Sequence, residues 1–217
     1  GSSTLAALTN GTDCTAVGYQ SLLVNAAINN TAFGSMSMVG NTVGTSNTAV
    51  GFSALSANIN GNSNTAIGYN SLSANTSGSF NIAIGINALS SSTTTGSNIA
   101  IGHNSLTANL TSDANTAIGF GSYSIGVSGV RNVAIGTNSL DANTTDDNVA
   151  IGYNAMNANT SGTRNTAIGA LSLDSNSSGS DNTSVGYNSM TANFGASRNT
   201  AVGSNALKLV DGSNDNV

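Results

Sequence analysis

A glycine returns along this chain with a nearly constant spacing, at Gly18, Gly34, Gly51, Gly68, Gly85, Gly102, Gly119, Gly136, Gly152, Gly169, Gly186 and Gly203, each time after a small residue and a β-branched or aromatic one. Nine of the eleven intervals are seventeen residues and two are sixteen. A period this fixed makes each turn of sequence one structural unit stacked on the next. The chain must then bury its apolar side chains between neighbouring turns of a solenoid, not in a single globular core.

With each repeat glycine as origin, a turn reads Asn, Thr/Ile/Val, Ala, Ile/Val, Gly, variable, Asn, Ser/Ala, Leu/Met, variable, Ala, Asn, followed by a five-residue connection; residues 64–75 are the plainest copy. The alternation across Thr65, Ala66 and Ile67 predicts a short strand. A second short strand is expected to carry Leu72 and Ala74. The fold class expected is all-β, a parallel β-roll or β-solenoid of twelve turns forming one domain over residues 1–217.

The invariant glycine reads as a backbone site with φ > 0, or a crowded corner where a Cβ would clash. A phosphate-binding loop is the functional alternative, disfavoured because no helix follows to present free N–H groups. The first Asn column is nearly as regular, holding Asn30, Asn47, Asn64, Asn81, Asn98, Asn115, Asn132, Asn148, Asn165, Asn182 and Asn199, with Cys14 in the remaining slot. Identical amides stacked at about 4.8 Å hydrogen-bond along the ladder and satisfy the backbone at each corner. Glycosylation sequons such as Asn143-Thr144-Thr145 follow from the abundance of Asn, Ser and Thr alone.

Charge is confined to two places in the repeat. One is the column just after the Leu position (Asp141, Asp174, Lys208), and the other is the connection, where both short turns also lose their residue; this marks the solvated loop. Arg164, Asp181 and Arg198 share one loop column in consecutive turns and are expected to form an alternating surface ladder, such exposed pairs being worth about 0 to 1 kcal/mol each. Nine acidic side chains against four basic ones exclude a basic groove for nucleic acid. No apolar run is long enough to insert in a membrane. The first fourteen residues carry neither a basic segment nor a long apolar stretch, so no signal peptide is read there. Cys14 is the only cysteine, which rules out an intrachain disulfide.

After the glycine comes a loose aromatic column: Tyr19, Phe52, Tyr69, His103, Phe120, Tyr153 and Tyr187. A packing ladder is the favoured reading and a carbohydrate-stacking strip the alternative. His103 has no second His or Cys in its frame, so no metal is expected. No turn gathers a catalytic constellation, and neither an enzyme nor a cofactor is expected. In the first strand neither parity carries a charge. One face must line the coil, and the other is expected to meet a second copy of the chain, as a closed cyclic oligomer allows. The Ala column, with Ser184 as its one exception, is the favoured intermolecular face because small residues let strands approach closely.

The stretches NTAIG, NIAIG at 81–85 and 98–102, and NVAIG at 132–136 and 148–152 resemble the head repeats of trimeric autotransporter adhesins. They are also similar to repeats in fibre proteins of phages and of host-attaching or predatory bacteria. The resemblance covers residues 14–217 and implies a left-handed β-roll, a homotrimer and an extracellular place on a cell surface or virion fibre. It also implies cell adhesion or host attachment, with a cell-surface glycan or protein as receptor. The turn of seventeen departs from the shorter turn usual in adhesin heads, and no stalk, neck, anchor barrel or terminal chaperone is seen. Gly1 with Leu5 before the first full turn, and Asn216-Val217 after the last, suggest a segment of a longer fibre.

Two other classes stand beside this one. An ice-binding solenoid is motivated by Thr15, Thr31, Thr48, Thr65, Thr116, Thr166, Thr183 and Thr200 in one column. Ile82, Ile99, Val133 and Val149 in the same column fit buried β-branched packing better. A polysaccharide-acting β-helix lacks Glu for paired carboxylate chemistry.

Overall fold

The computed structural model of the protein describes residues 12–210 and 212–216. Gly1, Leu5, Asp211 and Val217 lie outside the described residues. The fold is all-β, a parallel β-solenoid of about twelve turns whose contacts divide it into two compact units, residues 1–113 and 114–217. Among the described residues no helix is long and apolar enough to cross a membrane.

In the first unit each turn supplies one three-residue strand: β1 (Thr15–Val17), β2 (Thr31–Phe33), β3 (Thr48–Val50), β4 (Thr65–Ile67), β5 (Ile82–Ile84) and β6 (Ile99–Ile101). Neighbours pair in parallel with like columns in register, Ala66 against Ala49 on one side and Ala83 on the other. The second unit repeats this with β7 (Thr116–Ile118), β8 (Val133–Ile135), β9 (Val149–Ile151), β10 (Thr166–Ile168), β11 (Thr183–Val185) and β13 (Thr200–Val202). It adds two short strands, β12 (Ala192–Asn193) and β14 (Leu209–Val210), which pair with each other.

Every main strand ends at its glycine. Gly68 has φ +131°, and a Cβ there would stand 2.6 Å from the carbonyl oxygen of Gly85 in the next turn. Both readings of the invariant glycine therefore hold at once, since the corner is left-handed and also crowded.

The expected second strand over Leu72 and Ala74 is a turn instead. Asn70 and Leu72 sit at φ 52° and 50°, and the same pair of left-handed positions recurs in almost every turn. These reversals aim adjacent residues inward together, so Ser71 and Leu72 are both fully buried, which a strand with alternating sides does not do. The backbone still bonds between turns: the Asn70 N–H donates to Phe52 O, and the Leu72 and Ala74 N–H groups donate to Ala88 O and Ser90 O. Among the described residues only β12 and β14 are strands at this place in the repeat.

The Ala file is the inner face of the sheet, not the intermolecular one. Ala32, Ala49, Ala66, Ala83 and Ala100 are fully buried, whereas the Thr/Ile/Val files on either side of them point outward and are half-buried or exposed. The coil is narrow, and its interior already holds the Leu/Met file and two files of Asn. Only a methyl group fits opposite them. Ser184 breaks the Ala file without leaving a buried hydroxyl unpaired, because its Oγ lies 2.7 Å from Ser172 Oγ and donates to Ser189 O at 2.9 Å.

Candidate functional site: inner ladders and outer files

The first Asn column forms the ladder that its spacing predicts. Asn64 donates its backbone N–H to Asn47 Oδ1 at 2.9 Å and its amide to Gly78 O at 2.9 Å, while its own Oδ1 accepts from the Asn81 backbone at 3.0 Å. Cys14, in the Asn slot, accepts from Asn25 Nδ2 through its sulfur at 3.4 Å. Asn64→Ala strips a buried backbone N–H of its acceptor and a carbonyl of its donor, and is expected to cost about 1–3 kcal/mol. A melting curve measures this.

The second Asn column is an equally buried ladder. Asn58 Nδ2 donates to Asn41 Oδ1 at 2.6 Å and to Gly61 O at 3.0 Å, and Asn75 Nδ2 donates to Asn58 Oδ1 at 2.9 Å. Both short turns lose their residue just after this column. Asn25 is separated from Ala27 by one residue and Asn143 from Thr145 by one, where Asn58 and Gly61 are separated by two. At Ser92 the ladder is interrupted; Ser92 bonds to Thr95 instead, and Asn75 Oδ1 is left buried without a partner. The sequon residue Asn143 belongs to this ladder and is fully buried, which closes it to glycosylation in the folded chain.

One turn of the second unit solves the same problem with different residues. Tyr123 stands in the Leu file and Gly126 in the Asn file, and a Cβ on Gly126 would fall inside the Tyr123 ring. The phenol replaces the missing amide: its hydroxyl donates to Gly129 O at 3.1 Å and accepts from Asn132 Nδ2 at 3.1 Å and Asn143 Nδ2 at 3.3 Å. Burial pushes its pKa from 10.0 up to about 12. A raised folded pKa means that the stabilisation is whole below pH 10 and is lost as pH rises towards 12. Tyr123→Phe is expected to cost about 1–3 kcal/mol near neutral pH and to flatten the alkaline loss of stability. Denaturant unfolding at several pH values reads both effects.

No pocket opens among the described residues. Three outer features present regular files of side chains that a partner can reach. The first is the sheet face of the Thr/Ile/Val files, with Val17, Phe33 and Ile67 among its exposed members. Around the glycine corner lies the aromatic column, where Phe52 and Tyr69 stack with ring centroids 5.6 Å apart. His103 is an exposed member of that column.

The third feature is the charge ladder, which is longer than three turns. Arg131, Arg164 and Arg198 each donate two hydrogen bonds to the next turn's Asp147, Asp181 and Asp215, with Nε–Oδ1 distances of 2.7 Å. The guanidinium partners hold all three carboxyl groups below the usual carboxylate range. Asp174, in the other charged column, moves the opposite way because it is half-buried.

The chain matches no protein-family model, no curated protein and no solved structure.

Proposed function

We propose that this chain is a structural and adhesive segment of a trimeric fibre, outside the cell or on a virion, that attaches its bearer to a host, prey or surface. The outward sheet face carries the reading. Its two files hold Thr, Ile and Val, with Phe33 the one exception, without a single charge, and are long and apolar enough to be covered by another copy. Three identical coils packed by these faces close around a threefold axis and take the Thr/Ile/Val files out of water. The NTAIG-type repeats support the same reading by their resemblance to adhesin and fibre repeats. The chain offers attachment, not chemistry, and its receptor is a cell-surface glycan or protein. Cross-linking tests the arrangement: Thr116→Cys and Thr183→Cys combined with Cys14→Ser give each chain two outward thiols four turns apart, and a short bismaleimide is expected to give products that stop at three chains. Only uncrosslinked chain, or an open series of larger products, counts against a closed trimer.

A second reading draws on one observation. The Thr column points outward, with Thr15 and Thr31 exposed, so it is not the buried packing file that its Ile and Val members suggested. An ice-binding solenoid presents hydroxyl and methyl groups on such a plane, and there the face stays open on a single chain. Thermal hysteresis by a monomer is the result that selects this reading over the fibre.

A further inference from the structure

Along the second unit the residue after the corner glycine alternates strictly between large and small: Phe120, Thr137, Tyr153, Ala170, Tyr187, Ser204. Successive turns lie one strand spacing apart, so Tyr153 and Tyr187 stand at about 9.6 Å, with a notch floored by Ala170 between them. In the first unit Phe52 and Tyr69 occupy adjacent turns and stack on each other, their planes 12° apart, which leaves no notch between them. Tyr153 and Tyr187 have small residues on both sides and stay 55% and 54% exposed.

Before each strand, at its other end from this row, the charges of the connection column keep the same two-turn period and pair with one another. Asp147 and Asp181 belong to the tyrosine turns and Arg131, Arg164 and Arg198 to the notch turns, and every Arg is held by an Asp of the next turn. Among the described residues Lys208 is the one basic side chain outside such a pair. The strip therefore offers ring surface and phenol hydroxyls, and none of the three arginines of these turns is free for an anionic polymer. Engaged arginines in a net-acidic chain select against an anionic ligand.

We infer that the Tyr153–Tyr187 strip binds an extended, neutral, β-1,4-linked polysaccharide of the cellulose or chitin type. This rests on the attachment reading above and names its ligand. A pyranose chair packs its axial C–H face on an aromatic ring, while the tyrosine hydroxyls serve its hydroxyl groups. In a straight β-1,4 chain adjacent sugars are flipped, so the same face recurs once per disaccharide, a length close to two turns of this coil. A row of rings at every turn matches no such repeat; a row at every second turn does. α-1,4-Linked chains coil away from a straight row.

The test is retention of the purified protein on microcrystalline cellulose and on chitin beads, with amylose and heparin resins as comparisons and solution mass recorded on the same samples. Retention on cellulose or chitin, but not on amylose or heparin, is expected, and the better of the two identifies the natural class. Tyr153→Ala with Tyr187→Ala is expected to bind about tenfold more weakly at unchanged melting temperature. Ala170→Tyr adds a ring but fills the notch, and is also expected to weaken binding; stronger binding by this variant would mean general stickiness and overturn the inference. Equal retention on amylose or heparin overturns it too. A trimer that passes over both β-1,4 glycans removes this inference and leaves the fibre reading standing. Retention by a monomer supports the inference and removes the trimer.

Discussion

A chain carrying Ala117→Arg together with Ala134→Arg is expected not to fold, whereas Ile118→Arg with Ile135→Arg is expected to fold and to fail in association. Ala117 and Ala134 are paired neighbours on β7 and β8 and both are fully buried. A guanidinium there meets the Leu/Met and Asn files across a narrow coil, with no carboxylate to pair with and no room for its length. An unpaired buried charge costs on the order of several kcal/mol, and two approach the about 5–15 kcal/mol that separates a whole domain from its unfolded state. Ile118 and Ile135 sit one residue further on and face outward. Charges there remain solvated in a single chain and are desolvated only where copies meet. Circular dichroism and light scattering on the two variants should separate an unfolded or aggregated chain from a folded one of reduced mass.

Gly68→Val is the second large effect expected, with a loss of at least about 3 kcal/mol and early proteolytic cleavage in the turns beside it. Two penalties add. A β-branched residue is an outlier at positive φ, and the new Cβ would stand 2.6 Å from Gly85 O, backbone that cannot step aside because it is the corner of the next turn. The damage spreads because each turn hydrogen-bonds only to its neighbours, here through the Gly68 N–H to Val50 O and the Gly85 N–H to Ile67 O. Unchanged melting would show that the corner relaxes freely.

The period, the three-residue strand and the first Asn ladder were legible in the sequence because each is a column repeated with almost no exceptions, and a column at fixed period can only mean a stacked contact. Leu72 misled for a physical reason. Leucine carries no preference for a left-handed backbone, so Leu and Ala two apart read as a strand; the better signal was the Asn two residues after the glycine, at Asn70, Asn87 and Asn104, a residue type that tolerates φ > 0. The two faces of the strand could not be told apart from charge, which both lack. The volume of the opposite wall decides it, and that wall is defined by the turn at Leu72. At Tyr123 the sequence did carry a clue, since Leu→Tyr and Asn→Gly depart from the repeat together, and paired departures of complementary size mark a contact. The alternation of Tyr153, Ala170 and Tyr187 was equally visible, but it acquired meaning only once the turns had a spacing.

Sedimentation equilibrium of the purified protein over a wide concentration range tests the fibre reading most directly. On the fibre reading proposed above two further copies cover the outward face, so the expected result is one species at three times the 21.3 kDa of the chain, unchanged on dilution. A species of 21.3 kDa at every concentration, with the sheet face open to water, would contradict it.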